Sequence, residues 1–307
     1  MVDTLGEYAV VIGGVNVDIG GSAHEPIVYK DSNPGKVTLS LGGVGRNIAH
    51  NMSLLGVNVK LLTAFGDDVY AKRITASCEK LGIDISRALV VEGGETSTYM
   101  YLNDHKGDMV LAVSDMEICK CITPEYIAEN ISLVNNAAAV VVDTNIPEET
   151  IKYIAENCTA PIFADPVSTA KAGKLLSVLG KIHTLKPNRL EAELLSGVFI
   201  TDEKSLKKAA DALIRKGMRR VFISLGEDGV YAADSAGGKV YPKNEAQVVS
   251  TTGAGDAFMA ALVWSYINGW DIDTCACAAT AASSVAVESE DTINETMSAE
   301  EVYRRMI

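Results

Sequence analysis

The 307-residue sequence predicts an α/β fold: a doubly wound, mostly parallel sheet flanked by helices, with a small β-sheet lid. Two observations predict it. Short apolar runs such as YAVVIGG and AAAVVVDTN alternate with helical stretches of about 10–15 residues, the rhythm of a sheet covered on both faces. Two segments, about 17–40 and 95–113, break that rhythm with extended pieces and turn residues. Hydrophobic residues make up 48% and aromatics only 6%, so the core must be built mostly of Val, Ile, Leu and Ala.

Taken in order, 8–14 reads as a buried strand, 44–55 as a helix, 59–65 as a strand and 68–81 as a helix. AAAVVVDTN (137–145) is an apolar strand. PEETIKYIAENC (147–158) is a helix with proline in its first turn, where a missing N–H costs little. PIFADP (161–166) is a strand, and IHTLKPN (182–188) is a strand running into a helix over 189–196. A helix over 202–216, a strand over 219–226 and helices over 254–268 and 273–287 complete the pattern. The segment 17–40 carries Gly, Pro, Asn and the extended KVTLS, while STYMYLN and DMVLAV flank the turn-like DHKGD as a hairpin. Both segments are read as one lid over the edge of a single domain spanning 1–307.

A net charge of −13 argues against nucleic-acid binding, which needs a cationic face. No apolar run is long enough for a membrane span, and the first residues lack the features of a signal peptide, so a cytoplasmic location is expected. The six cysteines include two C-x-C pairs, Cys119/Cys121 and Cys275/Cys277, without zinc spacing. They are read as reduced, and Cys275 and Cys277 as small core residues.

Two glycine-rich stretches carry the chemistry. TTGAGDAF (Thr251–Phe258) stands just before a strong helical pattern, which puts Gly253, Ala254 and Gly255 in a helix's first turn. Free N–H groups and the positive end of the helix dipole meet there, and small residues leave the approach open to a phosphoryl group. Asp256 repels phosphate but can accept a proton from an attacking hydroxyl; its plainer reading is a helix cap. SLGGVGRN (Ser40–Asn47) clears side chains from a second turn. A P-loop is excluded because no G-x4-G-K-[ST] is present, and a protein kinase because HRD and DFG are missing. A phosphoryl transferase of another architecture remains.

GGVGRN and TTGAGDAF resemble the two signatures of the ribokinase-like (phosphofructokinase B type) carbohydrate kinase family. GGVNVD after the first strand, FGDD (65–68), DP (165–166), KPNRLEAE (186–193) and SLGEDGVY (224–231) follow in that family's order, so the likeness covers essentially the whole chain. DSNPGK, GGVGRNIA, HTLKPNRLEAE and TGAGDA are similar to the family's pseudouridine-specific branch. The resemblance implies an ATP-dependent kinase acting on the 5′-hydroxyl of pseudouridine. Uridine, inosine or ribose as acceptor, or a non-catalytic sugar- or nucleotide-binding regulator on the same fold, are the alternatives.

The resemblance also implies roles. Asp256 would be the general base, and Gly253, Ala254 and Gly255 the anion hole. Asn188 and Glu191 would organise Mg2+ through water near the phosphates. Asn16, Asp18 and Asn47 would bind ribose, with Gly42 and Gly43 bringing backbone close to the sugar. Asn188, Ser224, Gly226, Gly253 and Gly255 would hold ATP. Ser250 stands where the family often has Asp near a monovalent-cation site, which weakens the expectation of such an ion. A homodimer through the lid is expected, and Thr98, Ser32 and Lys36 are candidate readers of the base. Plainer readings stand beside several of these: Asn16, Asp18 and Asp165 as turn formers, Glu191 as a helix-dipole residue, Arg46 as a brace.

Overall fold

The computed structural model describes residues 7–306. Strand β1 (Ala9–Ile12) leads into β2 (Asn16–Ala23), which returns as β3 (Gly35–Gly42). Then come α1 (Val44–Leu54), β4 (Val59–Leu62), β5 (Ala64–Gly66), α2 (Val69–Lys80) and β6 (Leu89–Val91). β7 (Thr98–Asn103), β8 (Met109–Asp115), α3 (Pro124–Asn135), β9 (Ala139–Asp143) and α4 (Glu148–Asn157) follow. After β10 (Ile162–Asp165), α5 (Thr169–Ala172), β11 (Thr184–Leu185), α6 (Arg189–Ser196) and α7 (Glu203–Arg215) comes β12 (Arg220–Ser224). β13 (Val230–Asp234), β14 (Gly237–Tyr241), α8 (Ala254–Ile267), α9 (Ile272–Ala286) and α10 (Ala299–Arg305) close the fold.

The main sheet has the order β14-β13-β12-β11-β10-β9-β1-β4. Pairing is parallel from β12 through β4, and antiparallel where β13 and β14 extend it. Alternation along each strand splits the core in two. Ala9 and Val11 join Val141 and Phe222 beneath α1, α8 and α9, while Val10 and Ile12 join Val142 and Ile223 beneath α4, α6 and α7. Each fully buried aliphatic side chain contributes about 1.5–3 kcal/mol, so these two layers carry most of the stability. α8 is apolar on nearly every side because it lies between α1, α9 and the sheet. Cys275 is buried in this layer, Cys277 is half-buried, and all six cysteines are unpaired.

The two irregular segments form one separate sheet, ordered β3-β2-β7-β8. Its bounds differ from the expectation: β2 and β3 together run from 16 to 42, and the β7–β8 hairpin ends at 115. Gly20 leaves room for the Tyr101 ring, so the lid strands can pair closely. At the lid's root Asp68 caps α2 through Ala71 N (2.8 Å) and holds the amide and hydroxyl of Thr96 at 2.8 Å each. No helix among the described residues is long and apolar enough to cross a membrane.

Candidate active site

The candidate residues gather at the carboxyl ends of the parallel strands, where open α/β sheets place their ligands. Asp143 and Asp165 end β9 and β10 and are register partners. Lys186 follows β11, and Ser224 ends β12. The first turn of α8 points over this row. Gly253 is its N-cap at φ 82, and a Cβ there would collide with the carbonyl of Thr292, so only glycine fits.

Asp256 accepts a hydrogen bond from Asn47 Nδ2 at 2.9 Å, joining α8 to α1. Burial pushes its carboxyl up to about 7; Asp165 adds to the rise, while the Asn47 bond and Lys186 oppose it. Asp143 lies beneath, accepting from Gly14 N (2.9 Å) and Asn145 N (2.8 Å), and burial pushes it up to about 6. Lys186 pairs with Asp165 at 3.3 Å. Burial pulls its pKa down, but Asp165, Glu191 and Asp256 together raise it, so the ammonium stays charged. Its Nζ lies 3.2 Å from where a Cβ on Gly255 would stand, so Gly255 keeps the space beside the ammonium open.

Lys186 joins the candidate site by its position beside Asp165 and Gly255; the sequence reading did not single it out, although it lies in the quoted KPNRLEAE. Asp165, read there as a turn former, does both jobs. It accepts Val167 N at 2.8 Å and balances Lys186. That turn carries strain, because the β-branched Val167 sits at φ 62.

Asn188 and Glu191 form a capping box on α6, with Glu191 N to Asn188 Oδ1 at 2.9 Å and Asn188 N to Glu191 Oε2 at 2.8 Å. The dipole reading of Glu191 therefore holds alongside any functional one. Among the described residues no hydrogen bond reaches its Oε1. No group of three or more His, Cys, Asp or Glu side chains among them could hold a metal ion. The free Oε1 of Glu191 fits the water-mediated magnesium contact expected of it.

Asn16 Nδ2 donates to Asp18 Oδ1 at 2.6 Å, and burial raises the Asp18 carboxyl against that bond and the Arg46 charge. Gly42 and Gly43 have a structural reason of their own. A Cβ on Gly42 would meet the Asp18 carboxylate, and one on Gly43, at φ 97, would come within 2.5 Å of Gly14 O and Val15 Cα. The protein's own backbone and Asp18 require glycine there, independently of any sugar. Arg46 is buried as a brace, donating to Leu41 O at 3.0 Å and Ser77 Oγ at 2.9 Å.

Among the candidate base readers, Ser32 and Lys36 are exposed on the lid. Thr98 pairs with Val17, so it falls on the face opposite Asp18. Tyr99, opposite Asp18 in register, and Tyr101 share the Asp18 face and were not singled out from the sequence.

Ser224 and Gly226 line a cleft of about 490 Å3 together with Lys186, Ala254 and Gly255. Its outer wall is the segment 243–248, and its floor includes Thr280 and Val287. Asn188 does not line this cleft, as its side chain caps α6.

Comparison with known proteins places the chain in a family. Residues 7–299 match the profile of the pfkB family carbohydrate kinases. The pseudouridine kinase of Escherichia coli (strain K12) is 40% identical over 294 residues, covering 95% of this chain and 94% of that protein. The uncharacterized sugar kinase YeiI of the same organism is 35% identical, covering 96% and 82%. The crystal structure of ribokinase from Thermotoga maritima has the same fold, with a TM-score of 0.87 at 23% identity over 98% of this chain and 99% of that one.

Proposed function

Because the chain belongs to the pfkB family of carbohydrate kinases, we propose that it transfers the γ-phosphoryl group of ATP to the 5′-hydroxyl of pseudouridine. The observation that carries the kinase reading is Asp256, held by Asn47 beside the open first turn of α8 with its pKa pushed up to about 7. A carboxylate poised near neutrality is suited to take a proton and then release it. Pseudouridine as acceptor is supported by the identity of 40% to an enzyme of that name along nearly its full length.

In this reading ATP lies in the 490 Å3 cleft, with its terminal phosphate at the turn 253–255. The ribose lies against Asn16, Asp18 and Asn47, at the root of the lid. Asp256 removes the 5′-hydroxyl proton as that oxygen bonds to the γ-phosphorus and the bond to the bridging oxygen of ADP breaks. Amides of the α8 first turn and the Lys186 ammonium face the charge on the phosphoryl oxygens, the preorganised stabilisation on which phosphoryl transfer depends. Bound magnesium would neutralise phosphate charge, with Glu191 and Asn188 reaching it through water. The lid excludes water that would otherwise hydrolyse ATP.

The outer face of the lid supports a dimer. Val37, Leu102 and Leu111 form one cross-strand row, Leu39, Met100 and Val113 the next, and all six are exposed. Their face is opposite that of Asp18, so a second chain could cover it without blocking the ribose site.

The direct test is Asp256→Asn with ADP release and calorimetry. Turnover falls about 10²–10⁴-fold while nucleoside binding persists. Undiminished turnover in this variant would remove Asp256 from the mechanism.

A further inference from the structure

The outer wall of the large cleft, residues 243–248, belongs to a stretch without regular secondary structure between β14 and α8. Something outside it must hold it in place. Its own ties are few and, apart from the Lys243–Glu227 ion pair, reach one neighbourhood. Gln247 N donates to Glu288 Oε1 (3.3 Å), Val249 N to Val287 O (2.8 Å), and Asn244 Nδ2 to the Arg305 carbonyl (2.5 Å). Glu288 is in turn held at its other oxygen by Arg305 Nη2 at 2.6 Å.

Arg305, on the last turn of α10, has its whole fork engaged. Nη2 meets Glu288, Nε meets Glu301 at 2.6 Å, and Nη1 meets Ser284 Oγ at 3.2 Å. Ser284 lines the cleft on the α9 side. One guanidinium therefore spans both walls, touching the floor helix directly and the outer wall through Glu288. It also balances two carboxylates next to a cleft that, on the reading above, admits a polyanion. Neither lysine nor a neutral residue can make three such directed bonds.

We propose that Arg305 is a positioning residue for the nucleotide: it clasps the wall 243–248 against α9 and thereby sets the affinity for ATP, without contributing to acceptor binding or to the transfer step. The proposal rests on the reading of this cleft as the ATP site. Its predicted signature is a split between the two substrates. A merely structural residue would lower both alike.

The test uses Arg305→Ala and Arg305→Lys, with Arg304→Ala as control. Arg304 binds the same Glu301 but reaches neither wall. Loss of the Arg305 side chain leaves α10 docked, since Val302 is buried and Tyr303 packs against Trp264 (5.2 Å) and Trp270 (5.5 Å). Amide hydrogen exchange over 243–251, measured without ligand, reads the clasp. The KM and calorimetric Kd for ATP, the KM for nucleoside and kcat read its consequence. Expected for Arg305→Ala are faster exchange in that segment alone, an ATP KM and Kd raised roughly tenfold as for one lost charge-assisted tie, and unchanged nucleoside KM and kcat. Arg305→Lys should fall between, and Arg304→Ala should match the unaltered protein. Unchanged exchange, or equal losses for ATP and nucleoside, overturns the proposal. Faster exchange in a protein that binds no ATP even when unaltered overturns the assignment of the cleft instead, and the nucleotide role with it.

Discussion

At the residue scale, Asp256 carries the largest consequence. Its pKa in the folded protein is near 7, against 3.8 for a free carboxyl. Above pH 7 the folded protein must hold it charged in a poorly solvated place. Between about 4 and 7 the folded state keeps a proton that the unfolded state has lost, so its effect on stability worsens as pH rises through that window. Asparagine has no such charge to bury. Asp256→Asn should therefore melt higher than the unaltered protein at pH 8, by on the order of 2 kcal/mol, with the gap closing towards pH 4. Calorimetric melting across pH checks it, and a gap that grows on acidification would contradict it. The same titration should give kcat/KM an acidic limb near 7, since only the ionised carboxylate accepts the proton. Asp256 was legible in the sequence because TTGAGDAF joins a glycine turn to a helix within eight residues. Lys186 was not. Its partners Asp165 and Gly255 are distant in sequence, and only the adjacency of β10 and β11 and the placement of α8 over them bring the three together.

At the element scale, the first turn of α8 is the piece whose backbone would face the phosphoryl group on the proposed reading. Its donors are useful only if Gly253 keeps φ 82 and passes close under Thr292. Gly253→Ala should destabilise the fold by on the order of 1–3 kcal/mol, because the new methyl meets backbone rather than a movable side chain. Activity should fall more steeply than stability as the turn shifts. Urea unfolding and ADP release measure both, and a variant as stable and active as the unaltered protein would show that the turn tolerates another shape. Most helices were readable: α6 spans the expected 189–196, and α1, α2, α7, α8 and α9 begin within a residue of where their patterns do. α3 was passed over although Thr123 and Pro124 are an N-cap followed by a first-turn proline, a usable signal. β13 and β14 were missed for a physical reason. VYAAD is buried on both faces and GGKVY is largely exposed, so neither shows the alternation of a half-buried hairpin. β11 shrinks to two residues because Pro187 has no N–H with which to extend the ladder.

At the scale of the whole molecule, the lid and the body divide the labour. On the proposed reading, the polar face of the lid, with Asp18 and Tyr99, would serve the acceptor, and its apolar outer face a second chain. An exposed apolar sheet face of this size seldom remains uncovered in a stable protein. Light scattering at micromolar concentration should give twice the chain mass of 32.6 kDa, and replacing Leu102 and Val113 together by lysine should halve it. A monomeric mass for the unaltered protein would remove the dimer. The lid's two segments were legible because their period-two pattern departs from the helical rhythm around them. Which face they turn to the ribose was not, since a one-residue error in register exchanges the two faces. Thr98, named as a candidate base reader only for its polar side chain, pairs with Val17 and so lies on the face opposite Asp18.

On the proposed reading the protein selects a nucleoside by its base. ADP release from ATP and magnesium, compared as kcat/KM for pseudouridine, uridine, inosine, ribose and fructose, tests it most directly. Pseudouridine should exceed uridine by at least about tenfold, the discrimination expected when a buried polar group of the site is left unpaired by the wrong base. Equal rates with uridine, or a preference for ribose or fructose, would contradict it and leave a pfkB-family kinase with a different acceptor.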